Sequence, residues 1–295
     1  MSDPLDELLP SLLDLPLRPP SIRLDERGRR GTAREFGEFR GHVPYSEGED
    51  LRFLDWSVLA RSGQKVLRRF DAEEHQRTVL ILDLSASMRA RLAGLQRLSR
   101  LYGYLALIHF DSVELILLEE SGPRVASFAG ADSYPRLETC LEELEPGGDR
   151  GLLDLAGVLE QRGRRQGRVL LSDFQPEESC LRTLRSLAEL GHRLLCVFPR
   201  LAFEEAGSSG AEQRRGPLLL RDPETGEALE LLLSDELMRA FREEQEAWER
   251  RMDLACRELG DEFRPATLPE AEELGRVEAW LPFLGRAQPS VVGRR

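Results

Sequence analysis

Val79-Leu80-Ile81-Leu82 is an unbroken apolar run that stops at Asp83. A half-exposed strand alternates apolar with polar residues. An unbroken run reads instead as a strand buried on both faces, the habit of a parallel sheet. Arg168-Val-Leu-Leu-Ser-Asp173 repeats the pattern, again ending in an acid, and His192–Phe198 is a third such run. Helical stripes separate them. Leu92, Leu95, Leu98, Tyr102, Leu105 and Ile108 fall on one face of a helix, and Leu181–Leu190 is a helix closed by Gly191. Val113–Leu118 and Arg124–Phe128 read as two strands joined across Ser121-Gly122-Pro123. Leu137, Leu141 and Leu144 mark a helix, and Leu152–Leu159 another. This alternation predicts an α/β fold, a doubly wound, mostly parallel sheet covered by helices on both faces.

The flanks differ from this middle. Pro217–Arg221 and Ala228–Leu233 enclose Asp222-Pro223-Glu224-Thr225-Gly226, a hairpin signal. Ser234 caps a long helix starting near Asp235. Glu262–Arg264 is a last short strand and Glu270–Leu284 a closing helix. Ala206–Gly216 reads as a mobile loop. Residues 1–24 form a flexible N-terminal segment with a short helix near Leu5–Leu13 and an extended, proline-rich linker. Residues 25–75 are an extension packed on the sheet, and residues 76–295 the α/β domain with its hairpin and C-terminal helices. Residues 18–69 carry 12 Lys/Arg against 8 Asp/Glu, interleaved with Phe36, Phe39, Tyr45, Phe53 and Trp56. The matching acids favour a packed, salt-bridged appendage over a nucleic-acid surface.

Composition removes several functions. The chain holds 41 Lys+Arg against 53 Asp+Glu, a net charge of -12, which argues against a nucleic-acid partner. Lys65 is the one lysine and follows Gln64, so no Gly-x-x-x-x-Gly-Lys phosphate loop exists and ATP-driven work needs a partner. Cys140, Cys180, Cys196 and Cys256 form no Cys-x-x-Cys pair, and the four histidines share no short spacing, so a zinc site is not supported. No Gly-x-Ser-x-Gly elbow is present. No secretory signal or membrane-length apolar run is present, and the expected location is cytoplasmic, with no membrane partner.

The sharpest chemical feature is Asp83-Leu84-Ser85-Ala86-Ser87, directly after a buried strand. Ligands in such sheets sit at the carboxyl ends of strands. One Asp and two Ser hydroxyls offer oxygens to a hard cation, Mg²⁺ or Mn²⁺, held weakly. The same serines equally suit helix capping. Asp173, ending a second buried strand, is expected to approach the same point. Asp83 itself is expected to be a surface ligand rather than a core group.

Asp-x-Ser-x-Ser after the first strand, with a later strand-end Asp, resembles the metal-ion-dependent adhesion site of von Willebrand factor type A domains. Tyr45-Ser-Glu-Gly48-Glu-Asp50-Leu-Arg52-Phe-Leu-Asp55-Trp56, followed by Ala60-Arg61, resembles the signature of the bacterial domain of unknown function 58 family. Ser172-Asp173-Phe174 and Asp222-Pro-Glu-Thr-Gly226 are similar to further landmarks of that family. The resemblance implies a type A-like α/β domain, pairing with a MoxR-type AAA+ ATPase in chaperone-like or assembly work on a protein client, and no established catalysis. Many members carry two N-terminal membrane helices, which this sequence lacks. Type A domains also place a metal-site Thr after a Gly-Gly turn. Here Asp149 follows Gly147-Gly148, or Leu153 takes that position if four further residues are counted. Arg52, Asp55, Trp56 and Arg61 read either as an ion-pair network or as a partner surface.

Two functions of different class follow. One is a non-catalytic interaction module with a divalent-cation adhesion site serving an ATPase. The other is a Mg²⁺-dependent phosphotransferase resembling the haloacid dehalogenase superfamily, with Asp83 as nucleophile. That superfamily carries Asp-x-Asp, and Ser85 replaces its second Asp.

Overall fold

A computed structural model describes residues 9, 39–44, 55–70, 77–109, 112–160, 162, 167–201, 216–223 and 225–267. The chain divides into two compact units, residues 23–76 and residues 1–22 with 77–295.

In the smaller unit β1 (Phe39–Pro44) pairs antiparallel with β2 (Val66–Phe70). Between them lies α1 (Trp56–Ser62). Asp55 starts that helix: its carboxylate accepts from the Val58 N–H at 3.1 Å, while its own N–H donates to the Val66 carbonyl at 2.9 Å. One signature acid is therefore an N-cap tied to the strand that follows. Gly63, at φ 70, closes the helix in the left-handed conformation that glycine adopts freely. Trp56 opens α1 and Arg61 is exposed in its last turn. Tyr45, Gly48, Asp50 and Arg52 lie outside the described residues.

The larger unit is built on β3 (Arg77–Asp83), β4 (Ser112–Glu119), β5 (Gly122–Ala129), β6 (Gly167–Leu171), β7 (Leu195–Arg200) and β10 (Glu262–Thr267). They form one sheet in the order β10-β7-β6-β3-β4-β5. All neighbours are parallel except the edge pair β4–β5. This is the doubly wound, mostly parallel architecture expected from the unbroken apolar runs. Strand direction of travel reverses between β6 and β3, so their carboxyl ends flank a topological switch point.

Alternation along β3 divides the core. Leu80 and Leu82 face α2 (Leu92–His109) and α3 (Tyr134–Glu142), with Leu95, Leu98, Leu105, Leu137 and Leu141 buried there. Val79 and Ile81 face the other way, toward α4 (Leu155–Glu160), α5 (Glu177–Glu189) and α6 (Asp235–Leu259). On that face Trp248 stacks edge-on to Phe198 and Phe263 at 4.9 and 5.9 Å. Gly103 brings α2 close to α3, since a Cβ there would lie 2.5 Å from a Leu137 methyl.

Several boundaries differ from expectation for local reasons. α4 begins at Leu155, not Leu152, because Gly151 adopts φ 48 and the chain turns through residues 151–154 first. α5 begins at Glu177, four residues before the apolar stripe, with Glu177 and Glu178 in the first turn, where acids complement the helix dipole. β7 begins at Leu195, because the His192 N–H closes the preceding helix on the Leu187 carbonyl at 2.9 Å. The closing helix at 270–284, the Leu5–Leu13 helix apart from Leu9, and the loop over 202–215 lie outside the described residues.

β10 is tied in by one acid. Asp261 precedes it and accepts from the Leu194 N–H at 2.9 Å, while its second carboxylate oxygen is buried without a hydrogen bond. Burial pushes this carboxyl up to about 6, with the Leu194 N–H and the Arg193 charge opposing. An unfolded Asp titrates near 3.9, so the native state holds more protons between about pH 4 and 6. Native stability therefore falls as pH rises through that window and is level above it. Asp261→Asn keeps an acceptor for Leu194 without the charge. In urea unfolding it is expected to be more stable than the parent at pH 8, by up to about 3 kcal/mol, and equal to it near pH 4. A variant less stable at pH 8 would contradict this assignment.

Candidate metal and docking site

Asp83 ends β3 and is 1% exposed. The expectation of a surface ligand is therefore corrected: the strand is buried on both faces up to and including its last residue. Asp83 survives there because both carboxylate oxygens are hydrogen-bonded. Oδ1 accepts from the Ser85 N–H at 2.9 Å and Oδ2 from the Ser172 hydroxyl at 2.7 Å. The first bond folds the chain back in an Asx-type turn.

Strand register explains the second bond. Leu82 pairs with Leu171, which puts Asp83 opposite Ser172 and carries Asp173 one residue further. β6 ends at Leu171, so Asp173 lies two residues into the loop rather than at the strand end as expected, and the two acids do not pair directly. The loop after β6 is then fixed by two local bonds. The Ser172 hydroxyl accepts from the Phe174 N–H at 2.9 Å, and Asp173 accepts from the Gln175 N–H at 3.1 Å. Phe174 holds φ 56, a strained value for a residue with a side chain. Its fully buried ring packs edge-on against Phe263 at 5.7 Å, which anchors the turn that presents Asp173.

The serines do not serve as caps. Ser85 precedes the 3-10 helix Ala86–Arg91, yet its side chain makes no capping bond. Its hydroxyl instead meets the Ser87 hydroxyl at 3.0 Å. The Gly147-Gly148 turn closes on the same segment. Gly147 N–H donates to the Leu84 carbonyl at 2.8 Å and Ala86 N–H to the Gly148 carbonyl at 2.9 Å. Gly148 has φ 74, and a Cβ there would lie 2.7 Å from Glu120 side-chain carbons, so the close approach requires glycine. Asp149 follows directly and is exposed; Leu153, 65% exposed, lies further along the same loop.

Electrostatics mark the place. Burial pushes Asp83 above the usual carboxylate range, and the negative charge of Asp173 adds to it, against the bonds from Ser172 and Ser85. Burial and the same two carboxylates push the Cys180 thiol up to about 12, so it stays protonated and inert as a nucleophile. The site thus holds two carboxylates and a pair of facing hydroxyls, an all-oxygen set suited to a hard cation. Among the described residues no three His, Cys, Asp or Glu side chains converge as a metal cluster.

The position of Asp83 at the end of a buried strand, with Ser85 and Ser87 on the turn after it, agrees with the sequence reading. The bond from Ser172 to Asp83 and the place of Cys180 beside both acids were not foreseen, although offsetting the two apolar runs by one residue places Ser172 against Asp83. Ser172→Ala would leave a buried carboxylate oxygen without its donor. It is expected to cost roughly 1–3 kcal/mol in chemical unfolding. An unchanged midpoint would show that the bond contributes nothing.

A family model described as "Protein of unknown function DUF58" matches residues 42–252. The uncharacterized proteins Mb1516 of Mycobacterium bovis, and MT1527 and Rv1480 of Mycobacterium tuberculosis, are each 29% identical over 178 residues. That stretch is 57% of this chain and 55% of each relative, so the chain spans about half the length of the curated relatives it matches. A crystal structure of the SpRpn10 VWA domain aligns with a TM-score of 0.36 at 11% identity, covering 68% of this chain and 93% of that one. With 42–252 matched, well over half its length, the chain belongs to the DUF58 family.

Proposed function

We propose that this chain is a non-catalytic protein-interaction module whose strand-end oxygens bind a divalent cation, Mg²⁺ or Mn²⁺, weakly. Asp83, Ser85, Ser87 and Asp173 are the ligands, with Asp149 supplying a further carboxylate from the adjoining loop. The observation that carries this reading is the nearness of two carboxylates, Asp83 and Asp173, whose charges oppose each other, to serine hydroxyls that face each other rather than capping the helix. A cation relieves the repulsion between Asp83 and Asp173 and draws on both hydroxyls. Few protein ligands leave coordination positions for water and for one carboxylate of a partner. Contact through such a bridge is small and hydrated, so affinity is modest and depends on the ion.

Membership of the family supports the partner expected from the signature, a MoxR-type AAA+ ATPase acting with this module on a protein client. The chain has no phosphate loop of its own, and the ATPase supplies the energy. Among the described residues no helix is long and apolar enough to cross a membrane.

Calorimetric titration with Mg²⁺ and Mn²⁺ tests the ion. The parent is expected to bind, while Asp83→Asn and Ser87→Ala lose at least about tenfold in affinity, the scale of one lost ligand or its orientation. Asn is preferred to Ala because Asp83 is buried and hydrogen-bonded. Capture of a purified MoxR-type ATPase is expected to fall with chelator and in Asp83→Asn. Equal capture by both proteins under both conditions would rule out the bridge. Turnover of a phosphate ester that disappears in Asp83→Asn would replace the module by an enzyme.

A further inference from the structure

β8 (Gly216–Arg221) and β9 (Ala228–Leu233) form a sheet of two strands that pair only with each other. A two-stranded hairpin in water is marginal unless something packs on it. Here the register sorts leucines onto both faces. Leu220 pairs with Leu229 on one face, 47% and 58% exposed. On the other, Leu232 opposes Pro217 and Leu219 opposes Glu230, and these two leucines are 70% and 61% exposed.

The hairpin leads through Ser234 directly into α6, whose Leu237 N–H is capped by the Ser234 hydroxyl at 3.1 Å. Only the C-terminal half of this 25-residue helix reaches the core, through Trp248, Met252 and Cys256. Its first turns carry Leu237 exposed on the continuation of the same stripe. Exposed apolar residues thus run from the hairpin into the first turns of α6. Concentrated exposure of this kind marks an interaction site, whereas a scattered exposed leucine does not.

Charge selects the occupant. Among the described residues of 216–245, seven acids stand against three arginines (Arg221, Arg239 and Arg242), leaving a net of -4 around the leucines. A second copy of this surface would bring like charges together, and an anionic lipid surface would be repelled. We infer that the β8–β9 hairpin and the first turns of α6 dock a partner protein through a segment whose apolar stripe is flanked by lysine and arginine. This surface is separate from the cation site, and its test does not depend on divalent ions.

The probe is a helical peptide of about five turns, made of leucine and lysine with every leucine on one stripe. Its controls are a scrambled isomer of the same composition and a leucine–glutamate twin. Binding to the full chain in chelator is followed by fluorescence anisotropy. The striped basic peptide is expected to bind more tightly than both controls and to weaken as salt rises. Because the whole chain carries -12, any polycation is attracted to it; the scrambled isomer measures that background. Neutral substitutions then locate the contact. Leu219→Ser with Leu232→Ser, or Leu220→Ser with Leu229→Ser, is expected to weaken binding roughly tenfold in at least one pair. Equal binding of striped and scrambled peptides overturns the proposal using unaltered protein. So does full binding by both double variants. Sedimentation showing a dimer that the substitutions dissolve would assign the surface to a second copy instead. Cosedimentation with neutral phospholipid vesicles, lost in the variants, would assign it to membrane.

Discussion

A central strand with no exposed face must end somewhere, and β3 ends on a carboxylate. Everything at the top of the sheet follows from holding that charge where water does not reach it. A bare ionised Asp in that position is prohibitively costly, so it is either protonated, hydrogen-bonded or matched by a cation. The fold supplies two hydrogen bonds, from Ser85 across the turn and from Ser172 across the strand gap. Register does the rest, since an offset of zero between the runs ending at Asp83 and Asp173 would have opposed two carboxylates. The observed pairing inserts a hydroxyl donor between them and leaves Asp173 to act on Asp83 through space. What remains unbalanced is the second negative charge.

The degree to which this was legible follows from the range of each interaction. Strands and helices were readable because their signals are local: unbroken apolar runs at 79–82 and 169–171, a stripe from Leu92 to Ile108, and the cap at Ser234. Boundaries failed where one backbone angle decided them, as Gly151 delays α4. Asp83 and Asp173 come near each other, as expected, because the carboxyl ends of neighbouring parallel strands lie side by side. The bond from Ser172 to Asp83 was not foreseen, because register between β3 and β6 is fixed by packing on both faces rather than by neighbouring residues. The burial of Asp83 was misjudged for a related reason. A terminal acid looks like the start of a loop, yet here Leu84 after it is buried as well. Of the signature, Asp55 is a helix cap within the smaller unit, a role that its spacing in the sequence did not disclose.

The ionisable groups at the strand end are each held by their neighbours. Each Asp83 oxygen accepts one hydrogen bond, which leaves further lone pairs on the carboxylate, and the nearby thiol of Cys180 is pinned in its protonated form. The surrounding turns are over-determined: Gly148 admits the close approach of Glu120, Phe174 accepts a strained angle, and two backbone bonds lock Gly147-Gly148 to the turn. Such rigidity suits a fixed set of oxygens presented to an ion or a partner group.

The same economy of ordering governs α6. Its buried half, from Trp248 to Cys256, is clamped between Phe198 and Phe263 on one side and α5 on the other. The exposed half is a direct continuation of that helix, so its direction is set by the core and not by whatever binds to it. Each side chain immobilised at an interface costs about 0.5–1.5 kcal/mol, and loop ordering adds to this. A helix already formed, capped by Ser234 and held at one end, avoids the backbone share of that cost. The hairpin attached to its start gains a fixed root in the same way. The exposed leucines leave the hairpin itself marginal in water until something packs on it, while the helix that roots it is already ordered.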